Sequence, residues 1–155
     1  MKIKIVSGTG KGSTEISSFD NALLNAGIGN YNLIKISSVI PPDSKIEVGD
    51  LEPKESEHGR KLYVVLSKNH EKNNGREAWA GLGWTQEKET RKGLFLEGSA
   101  SSEKEVKNQI RKTFRSVKKE RSEKLANINI ETTGTKCEQN HVCAITAAVY
   151  KSTDW

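Results

Sequence analysis

An α+β fold, with sheets covered by helices, is the architecture the sequence predicts, and three features point to it. Several short runs carry strand-like patterns of apolar residues. Only two segments repeat apolar residues at helical spacing. Glycine, proline and polar clusters punctuate the rest. The 155 residues suit one domain with a modest core, and no internal repeat or boundary divides them.

Residues 2–6 alternate as a first strand and run into Ser7-Gly8-Thr9-Gly10-Lys11-Gly12-Ser13, which reads as a glycine-rich turn. A helix follows, with Phe19, Ala22, Leu23 and Ala26 on one face and Gly27 as its stop. Leu33 to Ile40 is a mostly apolar second strand, interrupted by Ser37-Ser38 and closed by Pro41-Pro42. Residues 43–60 read as a polar loop, and Lys61 to Lys68 as a third strand. Glu71 to Gly75 is a turn, and Ala78 to Trp84 is a strand weakened by its glycines. Gly93 to Glu97 is short and extended. Lys104 to Lys124 is an amphipathic helix with Val106, Ile110, Phe114 and Val117 on one face; Ser102 and Glu105 suggest a capping box. Asn127 to Glu131 and residues 142–150 complete the strands.

Composition removes several functional classes. No stretch approaches the roughly 20 apolar residues of a membrane helix. The alternating N-terminus does not resemble a signal peptide, so the cytosol is the default location. The net charge of +5 raises nucleic-acid binding, but much of it lies on the second helix, where a solvated face is the better reading. Neither nucleic acid nor membrane is expected as a partner. Cys143 sits in an apolar run and should be buried; Cys137 sits among polar residues, a setting compatible with exposure. His58, His70 and His141 are scattered and form no ligand motif, so no metal site is expected.

Two motifs bear on chemistry. The glycine-rich stretch lies between a strand and a helix, as phosphate loops do, yet fails their spacing. The phosphate-loop pattern places Ile5 where its first glycine belongs, and the dinucleotide pattern places Ser13 where its third belongs. The second motif is Asn25-Ala26-Gly27-Ile28-Gly29-Asn30, followed by Asn32-Leu33-Ile34-Lys35-Ile36-Ser37-Ser38-Val39-Ile40-Pro41-Pro42. Two serines inside an apolar strand point to opposite faces, a setting compatible with burial of at least one, which would then need partners. Spacing alone leaves open whether the pair is structural or catalytic.

From Phe19 to Pro42 this stretch resembles the processing region of the pyruvoyl-dependent arginine decarboxylases. The resemblance resumes at Leu94-Phe95-Leu96-Glu97-Gly98 and more loosely at Cys143 to Tyr150. It implies a four-layer αββα sandwich that cuts itself between Ser37 and Ser38, leaving chains 1–37 and 38–155. Ser38 would become the pyruvoyl cofactor, which forms a Schiff base with L-arginine and yields agmatine, a polyamine precursor, and carbon dioxide. Trimers with active sites between subunits are implied as well.

Residue by residue, the resemblance makes Asn32 a processing residue, a candidate donor to the developing oxyanion. Glu97 becomes the proton donor, and its apolar neighbours suggest a desolvated acid. Asp20 matches the substrate-binding carboxylate and suits a guanidinium, although an aspartate in a helix's first turn is also favoured by the helix dipole. Gly29 and Tyr31 match pocket-lining positions, Tyr31 standing where an aliphatic residue is expected. Two rival readings are a same-fold enzyme for another basic amino acid and an uncut basic nucleic-acid-binding protein.

Overall fold

In the computed structural model, which describes residues 1–155, the first strand continues well past its alternating start. β1 spans Lys2–Gly12, so the expected glycine turn is extended backbone. The glycines are there for packing. A Cβ on Gly8 would strike the Ala22 carbonyl oxygen, and one on Gly10 the Ser18 carbonyl and the Ala22 amide. The helix α1, Glu15–Asn25, thus lies directly on β1. Thr14 caps it: Thr14 Oγ1 accepts from Ser17 N–H and Ser17 Oγ accepts from Thr14 N–H, both at 3.1 Å. Gly27, at φ +75°, ends it in the left-handed conformation.

The remaining elements are β2 (Asn32–Lys35), β3 (Val39–Ile40), β4 (Lys45–Val48), β5 (Lys61–Glu71), β6 (Glu77–Gln86), β7 (Gly93–Ala100), α2 (Glu103–Glu120), β8 (Asn129–Lys136) and β9 (His141–Thr153). They form a five-stranded sheet in the order β2-β5-β9-β1-β4 and a four-stranded sheet in the order β3-β7-β6-β8. The protein is therefore a mixed α/β molecule of two sheets and two helices, consistent with the α+β expectation.

Three expectations need correction. The strand expected from Leu33 to Ile40 is two strands in different sheets. The polar loop of residues 43–60 contains β4, paired in parallel with β1, and a single 3-10 turn at Glu55–Glu57. The second helix stops at Glu120, and Leu125 instead forms an isolated bridge with Glu87.

Apolar side chains pack in separate groups. Ala22, Ala26 and Ile28 meet Val6, Val64 and Leu66 where α1 lies on the five-stranded sheet. Ile3, Ile5 and Val65 of that sheet meet Ile40, Leu82 and Phe95 of the other. The α2 residues Val106 and Ile110 are buried against Leu96, with Phe114 and Val117 packed alongside, as their spacing predicts. Gly81, Gly83 and Gly98 make room for them, because a Cβ on each would contact Val106 or Ile110. Cys137 is fully buried beside Ala78 and Val142, against the exposed setting its neighbours suggest. No helix is long and apolar enough to cross a membrane.

Candidate active site

The serine pair lies where the chain changes sheets. β2 pairs in parallel with β5, and Ile36 N–H still donates to the Val64 carbonyl (3.0 Å). Three residues later β3 pairs antiparallel with β7, Val39 opposite Leu94 and Ile40 opposite Gly93. Ile36 packs against the core between the sheets and Ile40 is buried in it. The short serines span the gap, and Pro41-Pro42 prevents β3 from continuing.

Within the crossing the backbone turns tightly. Val39 N–H donates to the Ser37 carbonyl at 2.9 Å, closing a three-residue turn centred on Ser38. Only Asp43, Arg91 and Gln139 among non-glycine residues have positive φ, so this is the inverse form common at strand ends. Phe95 N–H donates to the Ser38 carbonyl at 2.8 Å, fixing the turn to β7.

Glu97 shares a face of β7 with Phe95, two residues away. Its Oε1 lies 3.4 Å from Ser38 Oγ, longer than a firm O–H···O bond, so the groups are poised rather than locked. Leu94, Phe95 and Leu96 are buried, but Glu97 is exposed. The apolar enclosure expected for this carboxyl is not supplied within one chain. Glu97 instead borders an open depression of about 350 Å³, lined also by Lys35, Ser67, Lys68, Ser99 and Gln109.

The other expected residues sit apart from this centre. Asp20 lies on α1, exposed and without a hydrogen bond or ion pair, while Asn21 and Asn25 tie the helix to β1 through the carbonyls of Lys11 (2.7 Å) and Thr9 (2.6 Å). Gly29 follows the helix, its Cα close beneath the Leu24 side chain. Tyr31 turns its hydroxyl to Glu57 Oε2 (2.8 Å), which also accepts from Ser152 Oγ (3.1 Å). Burial, then this bond, raise the Tyr31 phenol; the same bond holds Glu57 below the usual carboxylate range. The Asn32 amide donates to the Gly59 carbonyl (2.6 Å), which also receives Trp155 Nε1–H (3.0 Å). Asn32 makes no hydrogen bond to Ser37 or Ser38 within the chain.

Sequence reading missed two groups at the centre. One is the Val39 N–H, the donor that does reach the Ser37 carbonyl; a main-chain group carries no sequence signal. The other is Tyr150, whose hydroxyl donates to the Val39 carbonyl at 2.9 Å and whose ring meets Phe95 edge-on, centroids 6.2 Å apart. A tyrosine closing an alanine-rich strand is a hint, because a sheltered phenol needs a partner. The fold also joins two histidines that the sequence separates: His70 Nε2 and His141 Nδ1 lie 2.7 Å apart.

Comparison with known proteins identifies a family. The family model for pyruvoyl-dependent arginine decarboxylase (PvlArgDC) matches residues 2–154. The chain belongs to that family. It is similar to the pyruvoyl-dependent arginine decarboxylase of Methanothermobacter thermautotrophicus, 54% identical over 54 residues, which cover 34% of this chain and 36% of that protein. With its counterpart from Halobacterium salinarum strain R1, 38% identity extends over 98 residues, 63% of this chain and 60% of the relative. With that of Pyrococcus furiosus, 33% identity extends over 153 residues, 96% of this chain and 93% of the relative. The first two alignments thus span less than two thirds of those relatives, while the third spans nearly all of its relative.

Proposed function

We propose that the chain is the precursor of an arginine decarboxylase that cuts itself between Ser37 and Ser38. One domain, residues 1–155, would then consist of a short chain, 1–37, and a long chain, 38–155. The turn at Ser38 carries the reading. It places a hydroxyl on the residue whose own preceding carbonyl is polarised by the Val39 N–H and whose following carbonyl is anchored by Phe95.

In the acyl shift, Ser38 Oγ bonds to the Ser37 carbonyl carbon and the Ser37–Ser38 C–N bond breaks. The hydroxyl proton ends on the freed Ser38 nitrogen. As charge grows on the Ser37 oxygen, the Val39 N–H is already directed at it. Loss of the Ser38 Cα proton then expels Ser37 as a carboxylate, which keeps the former Oγ. Dehydroalanine remains at position 38, and water displaces its nitrogen as ammonia to leave an N-terminal pyruvoyl group. We assign Asn32 a positioning role, since its amide fixes the start of β2 to Gly59.

The residues present fit that group. Position 38 is held to β7 by the Phe95 N–H on its carboxyl side, which the cut does not touch, and its side chain lies beside Glu97, itself on the rim of the depression. The ketone supplies an electron sink for decarboxylating an amino acid held through its amine. Glu97, beside position 38, is the residue assigned to pass the substrate carbon the proton that replaces carbon dioxide. Asp20, unpaired in the chain, is assigned to the substrate guanidinium, and Gly29 and Tyr31 to the same pocket on the strength of the resemblance.

Asp20 belongs to a helix on the five-stranded sheet and Glu97 to a strand of the other. With the family resemblance as the support, we assign the complete site to the junction of two copies within a trimer. Each copy is a four-layer αββα sandwich in this reading, with α1 and α2 as the outer layers. The buried, unpaired thiols of Cys137 and Cys143 favour the reducing cytosol.

Intact mass spectrometry tests the reading. The purified wild-type chain is expected to yield the 1–37 and 38–155 fragments, whereas Ser38→Ala stays whole and forms no agmatine. A wild-type chain that remains uncut after prolonged incubation overturns it. A substrate panel in which lysine or ornithine outperforms arginine overturns the arginine half alone.

A further inference from the structure

The turn at Ser38 depends on a strand that is unusually short. β3 has two residues, and the Val39 side chain is 52% exposed, so packing does little to fix Val39. Yet Val39 carries the N–H that meets the Ser37 carbonyl. Its own carbonyl has a firm partner from the opposite sheet. Tyr150 lies on β9 of the five-stranded sheet and reaches Val39, on β3 of the four-stranded sheet, at 2.9 Å.

We propose that Tyr150 is a positioning residue for self-cleavage, clamping Val39 so that its N–H stays on the Ser37 carbonyl. The inference rests on the self-cleavage reading above and deepens it. Tyr150 touches none of the reacting atoms and acts through Val39. Three bonds converge on the crossing: Phe95 N–H holds the Ser38 carbonyl, Val39 N–H holds the Ser37 carbonyl, and Tyr150 O–H holds the Val39 carbonyl. The Phe95 ring also backs the Tyr150 ring, so the clamp and the anchor are one packed unit. Burial pushes the Tyr150 phenol up to about 12, which keeps its hydrogen available for donation across the neutral range. The clamp is not needed once the Ser37–Ser38 bond is gone, because Ser37 is then the end of the short chain and its carbonyl is no longer the one attacked.

The experiment follows cleavage of freshly synthesised full-length chain by intact mass spectrometry, for the wild type and Tyr150→Phe, which keeps the ring and its contact with Phe95. Tyr63→Phe is the control; the Tyr63 ring is packed by Lys151 and its hydroxyl is engaged in no hydrogen bond. The expected result is that Tyr150→Phe cleaves about fivefold to tenfold more slowly, the effect of one lost hydrogen bond on a rate. The fraction that does cleave should retain kcat and KM for arginine within about twofold, as expected when a group acts only before the chain is cut. Tyr63→Phe should match the wild type in both. Equal cleavage rates for the wild type and Tyr150→Phe overturn the proposal while leaving self-cleavage standing. So does a loss of kcat in the cleaved Tyr150→Phe enzyme that parallels the slower cleavage, since that marks a general structural role. A wild-type chain that never cleaves overturns both.

Discussion

The two sheets meet in two unlike ways. Near the serine crossing, large apolar side chains fill the space, among them Ile3, Ile5, Ile40, Leu82 and Phe95. Further along, the facing residues are small, with Ala78, Ala80, Ala144, Cys137 and Val142 grouped together. There, three side-chain hydrogen bonds cross from one sheet to the other, whereas the apolar part has that of Tyr150 to Val39. Ser67 Oγ–H donates to the Gly98 carbonyl at 2.7 Å, Asn69 Nδ2–H to that of Ala100 at 2.6 Å, and Thr146 Oγ1–H to that of Ala80 at 3.3 Å. Apolar burial supplies stability but little direction; hydrogen bonds fix one register between the sheets. Glu97 lies on β7 between Phe95, in the apolar part, and Gly98, held by Ser67. Its distance from Ser38 is thus set by both parts at once.

Removing a large side chain from the apolar part should have the largest effect on stability. Phe95→Ala deletes a ring that is 1% exposed and should cost about 3–5 kcal/mol. Denaturant unfolding checks it, and a loss under about 1 kcal/mol would show that the apolar part is not the main store of stability. Ser67→Ala probes the directional part. It leaves the Gly98 carbonyl without its cross-sheet donor and should cost about 1–3 kcal/mol. If the hydrogen bonds set register, agmatine formation should fall further than the lost folded fraction explains; an equal fall in both would deny them that role.

The smallest effect lies outside both parts, on the edge strand β4. The Lys2 ammonium, and then that of Lys45, hold Glu47 down at about 2. Its folded value lies below its unfolded one, so the pair contributes fully above the ordinary carboxylate value. That contribution is lost as pH falls through the folded value. Glu47→Gln should therefore be slightly less stable than wild type near neutrality, and the two should converge as pH approaches 2. A difference that stays constant across that range would show that the ion pairs are not its source.

Much of the fold could be read locally. Val106, Ile110, Phe114 and Val117 mark the buried face of α2, and Gly27 marks the end of α1. The oddity of two serines in an apolar strand was legible too, and its structural reason is that the strand ends there. The chain uses the pair to pass from one sheet to the other. Other features were invisible because they are pairings over long separations. β4 finds β1 across more than thirty residues, and nothing in Lys45–Val48 announces a partner. The polar neighbours of Cys137 hide its burial, which depends on a contact with Val142 made by the turn into β9.

At Ser37-Ser38 the two sources of information separate cleanly. By itself the sequence determined that a polar step interrupts an apolar run before two prolines, and which family shares that run. Only the tertiary structure decided what surrounds it. The Val39 N–H, the Phe95 N–H and the Tyr150 hydroxyl come from β3, β7 and β9, and the Glu97 carboxylate from a residue 59 positions away. A hydroxyl and its neighbouring carbonyl are present at every serine in a chain. What singles out Ser38 is a fixed geometry, and such geometry requires groups from several strands to be held together at hydrogen-bond distance.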